Sequence, residues 1–452
     1  MPNFNLSPLR YHICLAPNWG APLRTSLYAP RYQPVAPTTR AEEACRLALS
    51  PVRSSLSRAI GGSLLSPGSA TQSSPLSSVM ARAEDDKVPI FAFCRTRDDA
   101  AKVQEAANEV AVATSLVSTK GPTPILHLGL DYAPPCDAPT IDAARCCQRL
   151  AQSVSKGGTR TMGRVLLAAA TLGSTQELLR TLGPILGDGA VVVADCQTSG
   201  KGRGGNQWTS PIGCLMFSAV RRLRVASPVQ APFINYLVCL AVTRGVQKAL
   251  QESGLPALDL RIKWPNDIYA GGLKVAGALI HTTWQGGWFN VIAGIGLNVN
   301  NRTPTTCLDE LLERAASERT TCEGETGGNG CVHGEANQAQ TYISRESVLT
   351  SILASLEEVY DTFEQQGFAP LEPEYLATWL HSGQVLDVDE SDTTTSVVGA
   401  TNASRRITRV TIRGLSSSGF LLAEDAGGSW YELTPDGNSL DMMQGLIRRK
   451  LQ

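Results

Sequence analysis

"VAGALIHTTWQGGWFNVIAGIGLNVN", residues 275–300, contains two apolar runs separated by Gln285, Gly286 and Gly287. Runs rich in β-branched and aromatic residues on either side of a glycine pair read as a hairpin, since glycine accepts the positive φ that a tight turn imposes. The pairing is therefore antiparallel. Working outward, "LDLRIKW" (258–264), "CLMFSAV" (214–220) and "GAVVVADCQ" (189–197) are further short β-rich runs, and "RVLLAAATLGST" (164–175) reads as a strand entering a polar turn. That turn leads into "QELLRTLGPI" (176–185), a helix that Ser174 or Thr175 can cap with a side-chain oxygen. In "PFINYLVCLAVTRGVQKALQ" (232–251), Ile234, Val238, Val242, Val246 and Leu250 recur every four residues, one stripe of a helix laid on a sheet. A second amphipathic helix carries Leu349, Ile352, Leu356, Tyr360 and Phe363 on one face. Strands and helices in this irregular order predict an α+β fold, a mostly antiparallel mixed sheet with flanking helices.

From about Ser382 the pattern changes to short β-type runs, "QVLDV", "TTSVVGA", "RVTIRGL", "GFLLAED" and "SWYELTP", broken by Gly, Ser and Asp. They predict a small C-terminal β-barrel of SH3-like size, which closes strand edges that would otherwise be exposed. The polar, glycine-rich "ASERTTCEGETGGNGCVHGEANQAQ" (316–340) reads as a flexible surface insertion at about 315–341. The expected domains are 1–82, a disordered transit-peptide leader; 83–160, a region with no assignable role; 161–380, the main α+β domain; and 381–452, the barrel.

A chain of 452 residues can hold two or three cores, and 42% hydrophobic with 18% charged residues is an ordinary globular composition. No eighteen-residue run of uncharged apolar residues occurs, so no membrane span is expected. A formal net charge of −1 argues against a nucleic-acid-coating protein, which needs a basic face to displace counterions. Residues 83–160 show no compact helix-turn-helix with a basic recognition helix either, so DNA binding is not expected. The twelve cysteines include no Cys-x-x-Cys pair. Cys322, Cys331 and His333 come nearest to a metal cluster, but reduced, structurally incidental thiols are the better reading, and no metal ligands are assigned.

Residues 1–82 hold eight arginines, no lysine, and Glu42 and Glu43 as the only acids, among many Ser, Thr, Ala and Pro. That is the composition of an organelle transit peptide; a disordered tail with no targeting role is the alternative. Met80, just before "AEDDK" (83–87), offers a start for a product without the leader.

Two segments carry chemistry. "SGKGRGGNQW" (199–208) is neither a Walker loop nor a dinucleotide fingerprint, but Gly200, Gly202, Gly204 and Gly205 let backbone N–H groups approach an anion, and Lys201 and Arg203 add cations. The combination suits a phosphate or acyl-phosphate; a mobile surface loop with solvated charges is the bland alternative. In "RIKWPNDIYAGGLKVAGALI" (261–280), Lys274 enters an apolar run, where an unpartnered ammonium costs several kcal/mol. An anion is expected to meet it. Trp264 and Pro265 could equally be core and turn residues, and Asn298 could simply accept a left-handed turn.

Together with "KWPND" (263–267), "GLKVAG" (272–277) and "GIGLNVN" (294–300), the loop resembles the biotin protein ligases, called holocarboxylase synthetases in eukaryotes. The likeness runs in order from about Val165 to Asn301 and extends to "HSGQ" (381–384) and "TPDGNSLDM" (434–442), which look like the family's small terminal domain. "KWPND" is its most specific string. The resemblance implies a biotin/lipoate ligase-like catalytic domain that makes biotinyl-5′-AMP from biotin and ATP with Mg²⁺. It then passes biotin to one lysine of a carrier domain in biotin-dependent carboxylases such as acetyl-CoA carboxylase. It implies that Ser174, Thr175, Gln176 and Gln197 face the ureido end of biotin, and that Lys201, Gly202 and Arg203 fold over biotin and the adenylate. Gly200, Lys201, Arg203, Trp208, Asn266, Lys274 and Asn298 fall on the ATP side, with Trp208 as a flat wall for adenine and Asn266 and Asn298 as candidates for holding triphosphate or metal. Lys274, Arg203 and Asp267 carry the catalytic roles, Lys274 also meeting the biotin carboxylate, while Lys263 and Trp264 shape the site. Gly204 and Asn206 depart from the fully basic bacterial loop and receive no phosphate role. A lipoate or octanoate ligase of the same fold and a biotin-sensing protein without transfer activity remain open. The expected protein is a monomer or weak dimer, in the plastid, with the mitochondrion or a cytosolic form as alternatives.

Overall fold

The computed structural model describes residues 12–15, 87–96, 98–106, 123–127, 140–154, 159–225, 227–324, 342–389, 407–433, 438–441 and 446–449. The leader apart from 12–15, the Met80 start, residues 325–341 of the expected insertion with Cys331 and His333, and "TTSVVGA" lie outside the described residues; within the leader, expected to be disordered, His12–Leu15 instead form a strand that pairs with 87–94 and 123–127. In chain order the elements are β1 (His12–Leu15), β2 (Lys87–Cys94), β3 (Thr123–His127), α1 (Ala143–Val154), β4 (Val165–Leu172), α2 (Thr175–Leu186), β5 (Ala190–Gln197) and β6 (Cys214–Arg224). Next come α3 (Ala231–Glu252), β7 (Leu260–Lys263), β8 (Asp267–Ala270), β9 (Leu273–Gln285), β10 (Trp288–Asn298), α4 (Leu308–Gly324), α5 (Arg345–Gln366) and α6 (Glu372–Thr378). The C-terminal strands are β11 (Val385–Asp389), β12 (Ile407–Leu415), β13 (Leu421–Asp425), β14 (Trp430–Leu433), β15 (Asn438–Asp441) and β16 (Leu446–Arg449).

The main sheet runs β1-β3-β2-β4-β5-β6-β10-β9-β8-β7. Pairs among β1, β2 and β3 and the β4–β5 pair are parallel, and every pair from β5–β6 to β8–β7 is antiparallel, which makes the fold α+β with a mixed sheet. The hairpin read from residues 275–300 is β9–β10, with Gln285 opposite Trp288 and both turn glycines at positive φ (58° and 81°). Successive residues of β4 enter opposite cores. Leu166 and Ala168 join one that includes α3 and α5, whereas Val165, Leu167 and Ala169 meet Leu178, Leu179, Leu182 and Leu186 of α2. Both faces of the strand are covered, which is why its sequence is apolar without alternation.

Three expectations change. Helix α3 buries more than one stripe: Cys239, Leu240 and Ala241 are inside along with Val238 and Val242, because α5 packs against it in addition to the sheet. A Cβ on Gly245 would lie 2.5 Å from the Ile352 Cα, so glycine lets the two helix backbones close up. By length and hydropathy 228–252 would suit a membrane crossing, but most of its apolar stretch is buried within the fold, as befits a central core helix. Second, the described residues of 83–160 are not set apart from the main α+β domain. β2 pairs antiparallel with β4, Phe91 opposite Ala168, and α1 packs on α5, so the sheet continues across residue 160. Third, the supposed insertion begins as helix: α4 continues to Gly324, started by buried Leu308 and Leu312, by acids at its N-terminal turn and by the Glu310–Arg314 pair one turn apart.

The C-terminal strands form a second sheet, ordered β14-β13-β12-β11-β16-β15, antiparallel except for β11–β16.

Candidate active site

A cavity of about 280 Å³ opens where the β4–α2 turn, the end of β5, the 200–208 loop and the β7–β8 turn meet above β9 and β10. Its floor is glycine. Gly277 and Gly296 face each other across β9 and β10, and Gly294 lies two residues before Gly296. A Cβ on Gly296 would sit 2.4 Å from the Trp208 ring, one on Gly294 3.1 Å from Gln176 Nε2, and one on Gly277 3.2 Å from Lys274 Nζ and 3.3 Å from Asp267 Oδ1. The missing side chains are what allow those four groups to approach the strands. Alternate glycines on β10 opposite a glycine of β9 are the sequence signal for such a floor, one that the motifs alone do not bring out.

At one end the wall is neutral. Ser174 caps α2 by accepting from the Glu177 N–H, as the sequence suggested. Gln197 Oε1 accepts from the Thr175 N–H at 2.8 Å and its hydroxyl at 3.2 Å, Gln197 Nε2 donates to Ser210 Oγ at 3.3 Å, and the Thr175 and Ser218 hydroxyls lie 2.9 Å apart. Thr175 and Ser218 are buried, so these bonds fix their orientation. Gln176 also lines the cavity, but its Nε2 donates to the Leu279 and Ile292 carbonyls at 2.7 and 3.2 Å, tying α2 to β9 and β10. Ser218 carries no sequence signal of its own, lying inside an ordinary apolar strand.

The rest of the wall carries charge. Lys201, Arg203, Lys263 and Lys274 all line it, against the single carboxylate of Asp267. Lys274 is not left to await an outside anion. Its ammonium lies 2.8 Å from Asp267 Oδ1 and 5.4 Å from the centroid of the Trp208 ring, with a third of the side chain exposed. An irregularity in the β8–β9 register between Ile268 and Tyr269 brings Tyr269 opposite Lys274. Arg203 Nη1 donates to Asn266 Oδ1 at 3.2 Å, while Asn266 Nδ2 donates to the Ala278 carbonyl at 2.6 Å. Lys201 reaches Glu177 Oε1 at 3.0 Å. Burial opposes ionisation of Glu177, but the Lys201 hydrogen bond and charge, with Arg180 and His281 beyond, hold its carboxyl below the usual range. Such a wall can collect carboxylate and phosphate oxygens at one end while gripping a neutral polar head at the other.

The glycine loop is bonded to itself rather than open. Trp208 N–H donates to the Gly200 carbonyl at 3.0 Å, Gly202 N–H to the Asn206 carbonyl at 2.7 Å, and Lys201 bridges Gln207. The amide of Gly202 is thus committed inside the loop, and the loop's cationic groups in the wall are side chains. Gly200 is not part of the wall; a Cβ there would lie 2.5 Å from the Trp208 carbonyl oxygen, so glycine is needed where the two arms of the loop meet. Nor does Asn298 line the cavity. It is buried, with Nδ2 donating to Thr305 Oγ1 at 3.1 Å and Oδ1 accepting from Asn301 Nδ2 at 2.9 Å. The remaining expected residues, Ser174, Thr175, Gln176, Gln197, Lys201, Gly202, Arg203, Trp208, Asn266, Asp267 and Lys274, come together in one wall.

A family model described as the Biotin/lipoate A/B protein ligase family matches residues 170–298, a span that includes the whole wall. Biotin–protein ligase 1, chloroplastic, of Arabidopsis thaliana is 39% identical over 293 residues, 65% of this chain and 71% of that protein. Biotin–protein ligase 2 of the same plant is 38% identical over 293 residues, 65% of this chain and 79% of its own length. The biotin protein ligase of Aquifex aeolicus in complex with biotin and ATP aligns with 59% of this chain and 94% of its own at 25% identity, with a TM-score of 0.38. On the extent and identity of the two plant matches, this chain belongs to the biotin protein ligase family.

Proposed function

We propose that the chain activates biotin with ATP to biotinyl-5′-AMP and then passes the biotinyl group to the ε-amine of one lysine in the carrier domain of a biotin-dependent carboxylase. The observation that carries this reading is the shared wall: four cations and one carboxylate beside a neutral hydrogen-bonded network. The ureido group of biotin is neutral and rich in donors and acceptors, and it goes to Ser174, Thr175, Gln197 and Ser218. Gln176 acts from behind, as a tether of α2.

In the first step a biotin carboxylate oxygen attacks the α-phosphorus of ATP, and the bond to pyrophosphate breaks. Bringing two anions together is uphill in Coulomb terms, so Lys274 and Arg203 offset the charge on the carboxylate and phosphoryl oxygens. Because Asp267 already neutralises Lys274 at 2.8 Å, the ammonium waits without an unpaired-charge penalty and turns toward the substrate as it binds. In the second step the acceptor amine attacks the acyl carbon and AMP leaves. Only the neutral amine is nucleophilic, and Asp267 orients it and accepts its proton. Trp208 gives the adenine a flat apolar wall.

ATP is ordinarily handled with Mg²⁺, which is held largely through the phosphates. Among the described residues no three His, Cys, Asp or Glu side chains gather, and Asp267 in the wall is paired with Lys274. These residues do not fit a resident Mg²⁺ site.

The C-terminal six-stranded sheet is read as the family's SH3-like module. Plastid residence is supported by the leader composition of residues 1–82 and by the chloroplastic relative. The decisive assay supplies ATP, labelled biotin and a carboxylase carrier domain. Label on the carrier lysine is expected; lipoate accepted in place of biotin, or biotin bound without adenylate, would overturn the reading.

A further inference from the structure

The turn that carries Asn266 and Asp267 is held from behind by hydrogen bonds that the ligation chemistry does not use. The Trp264 backbone N–H donates to His381 Nε2 at 2.9 Å, and the indole N–H of the same residue donates to Tyr236 Oη at 2.8 Å. Tyr236 Oη then donates to the Gly419 carbonyl at 2.5 Å. His381 lies between α6 and β11, and Gly419 lies in the turn between β12 and β13, so both lead to the C-terminal sheet. Trp264, Tyr236 and His381 are all buried. At this depth each donor needs its acceptor.

The directions of the bonds are determined. His381 Nδ1 lies 2.8 Å from Gln384 Oε1, which can only accept, so Nδ1 carries the proton and Nε2 offers a lone pair to the Trp264 N–H. The docking is also specific. Gly419 has a φ of +78°, and a Cβ there would lie 3.2 Å from Pro232 and 3.3 Å from Phe233, so glycine alone lets this turn reach α3. On the strand side Leu380 N–H donates to the Ile262 carbonyl at 2.9 Å, and Trp379 bridges Ile262. On its far side the same turn meets the cavity, through Asn266 to Arg203 and Ala278 and through Asp267 to Lys274.

We infer that His381 and Tyr236 are positioning residues: through Trp264 they let the C-terminal sheet set where Asn266 and Asp267 stand over Arg203 and Lys274. The proposed ligation reaction serves here as a kinetic readout only. A rival account needs no hydrogen bonds, because Phe233, Tyr236, Phe368, Tyr375 and Trp379 form an aromatic cluster that could hold the sheet by packing alone.

The two accounts part in the full chain. In the unliganded protein, His381→Leu is expected to raise hydrogen exchange at the Trp264, Asn266 and Asp267 amides about tenfold or more. It should lower kcat for adenylate formation and transfer by about tenfold to a hundredfold, the usual effect of a small misplacement of reacting groups. The KM for biotin should stay within about twofold, since Thr175, Gln197 and Ser218 stand on other elements. His381→Gln places an acceptor oxygen near the position of Nε2 and should recover kcat to within about threefold. Tyr236→Phe keeps the ring in its cluster and should show the same split to a smaller degree. The inference is overturned if folded His381→Leu keeps wild-type exchange and kcat. It is equally overturned if kcat and biotin KM worsen together and His381→Gln restores neither, the signature of packing alone. Should His381→Leu not fold, unchanged exchange and kcat in Tyr236→Phe overturn it. Exchange is read without substrate, so a wild-type chain that fails to ligate biotin would defeat the proposed function and leave this inference to be judged on exchange.

Discussion

At one end of the cavity Thr175, Gln197 and Ser218 are neutral, bonded to one another and mostly buried; at the other, Lys274 and Asp267 are charged, paired and partly exposed. The neutral end is fixed before any ligand arrives, so it recognises shape and hydrogen-bond pattern. The charged end holds ion pairs whose partners can be exchanged for substrate oxygens, so it acts where charge changes during reaction. Substitutions at the two ends should therefore fall in different kinetic columns. The largest effect is expected from Lys274→Ala, which leaves Asp267 as an uncompensated negative charge beside two anionic substrates. ATP–pyrophosphate exchange should drop by about 10³-fold with the melting temperature little changed. Near-normal exchange would remove the distinction between the ends.

Gly296→Ala sharpens the comparison from the floor. Its Cβ would meet the Trp208 ring at 2.4 Å, well inside contact, and Trp208 in turn lies under Lys274. The ring has to move, carrying the 200–208 loop with it, and kcat should fall about tenfold to a hundredfold while the neutral network keeps its bonds. A fall in biotin affinity of the same size would mean that floor and network are one unit. Gln197→Leu probes the neutral end by itself. It strips the Thr175 N–H and hydroxyl of their acceptor, a loss of about 1–3 kcal/mol, and biotin KM should rise about tenfold with kcat nearly unchanged. A kcat defect here would contradict the separation.

What could be read from the sequence was local. The β9–β10 hairpin announces itself through a glycine pair between two apolar runs, and the Ser174 cap through its place at a strand-to-helix turn. The charged residues of the wall are legible because two short motifs carry nearly all of them. What is not legible joins distant residues. Nothing near Phe91 says that it will pair with Ala168, so the strand at 87–94 reads as part of a separate region. The four-residue stripe of α3 conceals a helix buried on more than one side, since its second neighbour, α5, begins nearly a hundred residues later. Asn298, in a motif rich in asparagine, has the residue type of a polar ligand, yet Thr305 and Asn301 occupy its amide. Lys274 does need an anion, as its apolar neighbours imply, but no local pattern reveals that Asp267, seven residues earlier, supplies it across a bulged strand pair.

The smallest effect concerns pH, and its source is His381. Burial lowers the pKa of its imidazole below the ordinary 6.5; the hydrogen bond to Gln384 works the other way, and the Lys263 charge adds to the lowering. The ring is faced by Trp264 N–H, Gln384 Oε1, the Trp379 ring at 5.4 Å and, as the charged group, Lys263 on β7. Protonation would turn Nε2 into a donor pointed at another donor. In the unfolded chain the same imidazole takes up its proton as pH falls through 6.5, before the folded form does. Its contribution to stability is therefore complete above 6.5 and is lost as pH falls toward and through the lower folded value. Between about pH 7 and about pH 5 the melting temperature of the wild-type chain should fall by about 2 °C more than that of His381→Gln, which cannot titrate. Melting curves of the two proteins measured side by side at both pH values give the difference. Parallel declines would mean that the buried ring titrates alike in the folded and unfolded chains, and that the acceptor at Trp264 does not depend on keeping it neutral.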